Sequence, residues 1–306
     1  MSIPSQVTQN ITLLGSELFN LYLVKGETYA IVEGGVSGIA YPFLEQLSQL
    51  NVPPEAVSHL LILHSHFDHM MVFPVLKERY PWMKIVTSGM NRATFSSERI
   101  IAKIFRSDRK ITLALKERGM ILEAPNLQPC TFFPLDIPVQ EGSVLDLGKG
   151  MKMKFFEIPG HSPDCMAAFL EDEGVLFCSD GAGFYTPPDF FRPNYWYRLD
   201  EAEKSLDKMK GMDPEILCRG HYGSMIGKDL TRKHLQMNRQ SIEDFKAFVL
   251  EKIQGGSSVE EITQEVTVRF SKGFLELFPP EENHRLWKLL IQRTLEHFNI
   301  EMEEKR

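Results

Sequence analysis

An unbroken apolar run, Leu60-Leu61-Ile62-Leu63, ends directly on His64-Ser65-His66-Phe67-Asp68-His69. Four consecutive apolar residues bounded in this way predict a buried strand. Beyond its end, alternate side chains can project from one rim. His64 and His66 are two apart, so an extended backbone points both to the same side. Asp68 and His69 follow where loop passes into helix, beside the place a second ion would take. This mixture of imidazole and carboxylate suits Zn, Fe or Mn. The chain has nine histidines in 306 residues, and three of them fall in this one segment. That density favours a metal site over a solvated polar strand end.

A two-ion centre needs further ligands, and three stand at suitable places. His161 lies in Pro159-Gly160-His161-Ser162, after a strand ending at Ile158. Asp180 lies in Cys178-Ser179-Asp180-Gly181, and His221 in Arg219-Gly220-His221-Tyr222-Gly223. Each follows a predicted strand and has glycine beside it, where the backbone can turn tightly and present a side chain.

The first third of the chain alternates strand and helix patterns. Two strands fall within residues 18–32 around Lys25-Gly26-Glu27, and Gly34-Gly35 breaks the chain after them. A short amphipathic helix follows over 41–50, then the strand at 60–63, a helix over 70–80 stopped by Pro81, and a strand at 84–87. Residues 91–118 differ: Ile100, Ile101, Ile104 and Phe105, then Ile111, Leu113 and Leu115, predict two helices inserted between strands. After a proline-rich loop at 125–138, strands resume at 144–147, 151–158, 166–170, 175–178 and 215–218. The pattern then turns helical over 230–253. Ser258 and Glu261 form a capping-box signature for the next helix, and a third spans 282–298. The expected division is a mixed core, residues 1–227, with its helical insertion at about 91–118 and an all-helical extension, residues 228–306, that covers the site or binds partners. Residues 301–306 read as a solvated tail.

With 43% hydrophobic and 25% charged residues, the chain reads as a globular protein. A net charge of −7 argues against a general nucleic-acid binder. No stretch reaches the ~18 apolar residues of a membrane span, and residues 1–16 lack the basic-then-apolar pattern of a secretory signal. Cys130, Cys165, Cys178 and Cys218 contain no C-x-x-C, so free and mostly buried thiols are expected. The expectation is a cytoplasmic protein with neither nucleic-acid nor membrane partners.

Taken in order, His-x-His-x-Asp-His, Gly-His-Ser, Ser-Asp-Gly and Gly-His resemble the motif set of the metallo-β-lactamase superfamily over most of residues 10–227. The resemblance implies an α/β fold, an αββα sandwich of two mixed β-sheets flanked by helices, with metals at one edge. It also implies ligand roles: His64, His66 and His161 for one ion, Asp68, His69 and His221 for the other, and Asp180 bridging. Superfamily enzymes that act on β-lactams often replace or lack the bridging Asp, and flavo-diiron reductases carry Glu where this chain has His66. Both features favour hydrolysis here. The helical insertion and C-terminal helices are most similar to the thioesterase type of the quinolone-signal response protein, with support from Val32-Glu33-Gly34-Gly35 and Phe177-Cys178-Ser179-Asp180. Glyoxalase II, another thioester hydrolase, is a more distant likeness. One departure is Met71, where the superfamily commonly has Gly.

The chemistry so implied is that of a hydrolase with two divalent ions, zinc by family, with iron and manganese open. Such ions bring a shared water to a bridging hydroxide near neutral pH, which attacks the carbonyl of a thioester or related ester. Asp68 is both a ligand and the catalytic proton carrier. Lactone and phosphodiester hydrolysis stay open, as does a weakly active regulatory protein working through its helices, which are also a candidate surface for a homodimer or a protein partner. The small-molecule acyl substrate must be shaped by other residues. Phe184, Tyr185, Phe190, Phe191, Tyr195, Trp196 and Tyr197 crowd the segment after Asp180. They either wall an apolar acyl group or anchor the loop to the inserted helices. Phe184, Tyr185, Trp196 and Tyr222 are the candidate substrate contacts, the two tyrosines as oxyanion donors. His59, His234, His284 and His297 are expected in surface or helix-packing roles.

Overall fold

The computed structural model describes residues 3–300 and places the Leu60–Leu63 run between two cores. A first sheet holds seven strands in chain order: β1 (Ser5–Thr8), β2 (Ile11–Gly15), β3 (Asn20–Lys25), β4 (Tyr29–Val32), β5 (Val57–Ile62), β6 (Lys84–Ser88) and β7 (Ile137–Val139). The first four pair antiparallel, whereas β4 to β7 pair parallel. A second sheet uses β8 (Val144–Asp146), β9 (Lys152–Glu157), β10 (Met166–Leu170), β11 (Val175–Ser179), β14 (Ile216–Arg219) and β15 (Ser224–Ile226), in the order β15-β14-β11-β10-β9-β8. A hairpin of β12 (Phe184–Thr186) and β13 (Phe190–Arg192) stands apart from both sheets.

Parallel neighbours need crossover connections, and helices supply them. These are α1 (Ala40–Gln49), α2 (Phe73–Arg79), α3 (Asn91–Phe95) with α4 (Glu98–Glu117), and α5 (Leu199–Met212). After them come α6 (Lys228–Gln254), α7 (Val259–Phe270) and α8 (Pro280–His297). Strand side chains alternate between faces, so β5 serves both cores. Leu61 and Leu63 pack between the sheets with Tyr22, Phe155 and Phe177. Leu60 and Ile62 pack with Phe43, Leu76 and Ile101 in the larger core that the sheets share with the helices. This is the sandwich of two mixed sheets flanked by helices, with three further helices at its C-terminal end.

Several elements differ from the sequence expectation. The insertion does hold two helices, but both apolar groups, Ile100 to Phe105 and Ile111 to Leu115, fall on one of them, the 20-residue α4, and the short α3 precedes it. Ile101, Ile104, Phe105, Asp108, Ile111, Thr112 and Leu115 form one buried stripe along α4. Asp108 and Thr112 interrupt the apolar pattern in the sequence but not in space. Strands β1, β2, β7 and β15, the hairpin and α5 go beyond the sequence expectation. The buried face of α5 includes Ala202 and Ser205, which weaken its apolar periodicity. The capping box at Ser258 and Glu261 forms, with each side chain accepting the other's backbone N–H. Cys165, Cys178 and Cys218 are buried free thiols, whereas Cys130 is exposed. Among the described residues, no helix is long and apolar enough to cross a membrane. The solvated tail expected at 301–306 lies outside the described residues.

Asp108 anchors α4 to the loop that follows β4. It accepts hydrogen bonds from Ser37 N at 2.7 Å and Ser37 Oγ at 2.6 Å, while Gly38 N donates to Thr112 Oγ1 at 3.1 Å. Burial raises the Asp108 carboxyl from 3.8 to about 6, despite the two bonds from Ser37 that favour its ionised form. A carboxyl raised in the folded state stabilises the fold below its unfolded pKa, and that contribution is lost as pH rises through the folded value. Between about pH 4 and pH 6 the wild type should therefore lose on the order of 3 kcal/mol that Asp108→Asn does not lose. Denaturant unfolding across this range measures the difference, and parallel pH profiles for the two proteins would exclude it.

Candidate metal centre

The seven residues singled out from the sequence meet at one rim of the sandwich, and each comes from the exit of a strand. His64 and His66 follow β5, and Asp68 and His69 lie in the tight turn Phe67–His69 just beyond. His161 sits between β9 and β10, Asp180 follows β11, and His221 follows β14. Side-chain atoms converge within 4.8 Å of one another in three overlapping groups: His64, His66 and His161; His64, His69 and Asp180; and Asp68, His69 and His221. Asp180 faces both ends, with Oδ2 3.5 Å from His161 Nε2 and Oδ1 3.5 Å from His221 Nε2. Asp68 Oδ2 lies 3.6 Å from His69 Nε2 and 3.7 Å from His221 Nε2.

What aims the rings is the set of bonds on their far sides. His161 Nδ1 donates to the Asn194 carbonyl at 3.0 Å, and His221 Nδ1 donates to the carbonyl of Leu18. His69 Nδ1 meets Glu33 Oε2 at 2.6 Å. A carbonyl or carboxylate can only accept, so each of these three bonds takes a proton on Nδ1, and in the neutral ring Nε2 is then the lone pair turned inward. His64 Nδ1 pairs with Ser179 Oγ at 3.0 Å, which engages the outer side of a fourth ring. His66 is the exception: its Nδ1 faces His161 Nε2 at 2.9 Å. His64 Nε2 is buried without a hydrogen-bond partner. That orphaned nitrogen, four further imidazole nitrogens and two carboxylates form a donor set that fits divalent metal.

The local charge follows from burial and proximity. Burial, together with neighbouring imidazoles, holds His64 well below the ordinary histidine range and His161 at about 4. Burial also lowers His221. Burial would lower His69 as well, but the carboxylates of Asp68, Asp180 and Glu33 reverse the sign and hold it well above its usual value. His69, His221 and His161 in turn hold Asp180 well below the usual carboxylate range against the opposing effect of burial.

Two glycines make the approach possible. The loop at Glu33 is zipped to the metal-ligand loop by Gly34 N to His69 O, Met71 N to Gly35 O and Val72 N to Gly34 O, each 2.8 Å. A Cβ on Gly34 would lie 2.7 Å from Met70 Cα, and one on Gly220 would lie 2.4 Å from His69 Cε1. Both contacts are closer than any side chain tolerates. Met71, the departure noted in the motif, is fully buried in the core and leaves the loop hydrogen-bonded to Gly35.

The candidate substrate residues divide. The Phe184 ring packs 5.0 Å from His221 and 6.1 Å from Tyr222. The Tyr222 hydroxyl accepts from Phe274 N at 2.7 Å, so it ties down the α7–α8 loop. Tyr185 and Trp196 are placed elsewhere. Tyr185 bonds the Pro188 carbonyl and lies over Arg219, while Trp196 packs edge-on to Trp287 of α8. Sequence reasoning missed two further rings beside the centre. Phe274 stacks on the His221 ring at 4.8 Å, and Phe19 meets Phe274 edge-on at 5.4 Å. Phe274 lies 53 residues beyond His221 in sequence (274 − 221), and its only local mark is the preceding Gly273. Glu33 was visible as an acid before Gly34-Gly35, though not as the partner of His69. Of the other histidines, His234 is buried beside Phe191 and Asn238, as expected for helix packing.

Comparison with known proteins agrees with this geometry. A metallo-hydrolase of Bacillus subtilis, the probable metallo-hydrolase YflN, is 22% identical over 237 residues, covering 70% of this chain and 84% of that protein. A protein of Thermosynechococcus vestitus named diflavin flavoprotein A 1 is 24% identical over 259 residues, which are 79% of this chain. The present chain spans only 38% of that relative's length. Among solved structures, a metallo-beta-lactamase family protein from Thermus thermophilus superposes with a TM-score of 0.65 at 19% identity, covering 96% of this chain and 95% of that one. Residues 20–221 match the Metallo-beta-lactamase superfamily, and together with the rim of histidines and aspartates this shows that the chain belongs to it.

Proposed function

We propose that the protein is a binuclear metal-dependent hydrolase of carboxylic thioesters or closely related esters. The observation that carries this reading is Asp180, one carboxylate whose two oxygens face His161 on one side and His221 on the other at 3.5 Å. On this reading His64, His66 and His161 would hold one ion and Asp68, His69 and His221 a second, with Asp180 available to both. Zinc, iron and manganese all suit such donors. Bound ions would supply an acidified water and a Lewis acid for a carbonyl oxygen. The remaining work falls to the chain. Asp68 orients the attacking water and passes its proton toward the leaving group. Glu33, Asn194 and Leu18 keep three imidazoles in the tautomer and direction that binding needs. Phe19, Phe184 and Phe274 give the centre an apolar flank for an acyl group. A thiolate leaves readily without a separate acid, which favours a thioester where Asp68 is the sole proton carrier proposed. In this reading residues 1–227 are the catalytic core, and residues 228–306 act as its cover through Phe274.

The diflavin relative favours a second, redox reading. Opposing it are His66, where flavo-diiron enzymes carry Glu, and the short span of the shared region. The discriminating measurement is metal content joined to a substrate panel of aryl thioesters, acyl lactones and bis-aryl phosphate. About two metal equivalents and cleavage of the thioesters are expected. Asp180→Ala and His69→Ala should each lower kcat/KM by roughly a hundredfold or more, and full activity in either would sink the two-ion mechanism. Glu33→Gln should fold but hold metal roughly ten- to a hundredfold more weakly. Competition against a chromogenic chelator reads that loss, and unchanged affinity would remove Glu33 from the account.

A further inference from the structure

Ser179 ends β11 with φ at +49°, in the left-handed region that glycine enters freely and serine does not. The pairing of β11 with β14 slips at this point, Phe177 facing Cys218 and Ser179 facing Arg219. Gly181 N then donates to the Cys178 carbonyl at 2.9 Å, so the chain turns tightly across Ser179 and Asp180. A turn of this kind asks for no side chain at Ser179. The one present is buried, and its hydroxyl is aimed at two rings. Oγ lies 3.0 Å from His64 Nδ1 and 3.3 Å from His69 Nδ1.

His64 and His69 belong to different ions in the reading above, and they lean on Ser179 unequally. His69 Nδ1 has a closer acceptor in Glu33 Oε2, at 2.6 Å, and Ser179 Oγ is the longer of its two contacts. His64 Nδ1 has Ser179 Oγ alone among the described residues. To offer Nε2 to a metal, a neutral His64 carries its proton on Nδ1 and donates it to that oxygen. A hydroxyl oxygen has two lone pairs, enough to accept from both rings. The other ligands of the His64 group add little support. His66 Nδ1 faces His161 Nε2, and only His161 has a carbonyl behind it, that of Asn194. In the other group, Glu33 and the Leu18 carbonyl back both imidazoles.

We propose that Ser179 is a positioning residue that sets the affinity of one ion and not of the other. Through His64 it supports the ion of His64, His66 and His161, whereas the ion of Asp68, His69 and His221 depends on Glu33 and Leu18. Serine occupies a strained position for the sake of its oxygen. This inference rests on the two-ion reading above.

Zinc binding separates the oxygen from the turn. The wild type, Ser179→Gly, Ser179→Ala and Ser179→Asn are each titrated with zinc against a chromogenic chelator. Ser179→Gly removes the oxygen and relieves the backbone, and Ser179→Ala removes the oxygen and keeps the strain. Ser179→Asn tolerates the left-handed backbone and restores an acceptor. The wild type should hold about two equivalents. Ser179→Gly and Ser179→Ala should each bind one of the two roughly ten- to a hundredfold more weakly and leave the other nearly unchanged. Ser179→Asn should regain part of the loss. A crystal of Ser179→Gly grown with zinc limiting should carry its metal at Asp68, His69 and His221. If Ser179→Gly binds both ions as tightly as the wild type, Ser179 is a turn residue only and the proposal is overturned. Equal weakening of both ions, or zinc at His64 in that crystal, overturns it as well, and each leaves the two-ion reading standing. A wild type that holds fewer than two equivalents overturns the two-ion reading and the proposal with it. If Ser179→Gly fails to fold, the other two variants decide: weaker binding of one ion by Ser179→Ala than by Ser179→Asn upholds the proposal, and equal affinities overturn it.

Discussion

Five imidazoles can crowd one point only if something else engages their far sides. An imidazole left to itself exchanges its proton between the two nitrogens, and the hydrogen bond at one of them decides which carries it. In this chain the carbonyls of Leu18 and Asn194 and the carboxylate of Glu33 settle the matter for three of the rings, and the Ser179 hydroxyl engages a fourth. Those partners lie at strand ends and in loops, and their positions depend on the register of both sheets. The centre is thus a reading of the fold: shift a strand by one residue and its ligand turns to the opposite face.

The two sheets are locked to each other beside the centre as well as through the core. Tyr22 Oη and Asn20 Nδ2 of β3 both donate to the Arg219 carbonyl, at 2.7 and 3.0 Å, and Asn20 N donates to Gly220 O at 2.8 Å. These bonds seat the β14 exit against the first sheet, so that His221 arrives opposite His69. Gly220 must lack a side chain for the same reason, since the His69 ring occupies the space a Cβ would need. Packing, hydrogen bonding and ligand placement are here one arrangement.

All seven proposed ligands were legible in the sequence because each stands at the end of an apolar run, where chemistry and periodicity change together. The sandwich followed from the family resemblance that those motifs carry. What could not be read were partners whose chemistry is shared by every residue, such as the backbone carbonyls that orient His161 and His221. Asp108 illustrates a second limit. It looks like a helix breaker in an apolar pattern until Ser37, 71 residues away, is found against it. The aromatic segment after Asp180 is the third case. Its density was plain, but density does not say which way a ring faces. Phe184 turns to His221 while Trp196 turns to α8, and the place beside His221 is shared with Phe274 from the far end of the chain.

The provenance of the ligands has a mechanical consequence. His66 and His161 are 95 residues apart in sequence, and His69 and His221 are 152 apart, with one member of each pair from each sheet. Joining such pairs closes long loops, and in the chain-entropy picture a closure of that size is worth about 5 kcal/mol. The buried thiols Cys165, Cys178 and Cys218 form no covalent tie. Coordination at the rim would therefore act as a detachable staple between the two halves of the sandwich, one that a competing chelator can draw out and a reductant cannot.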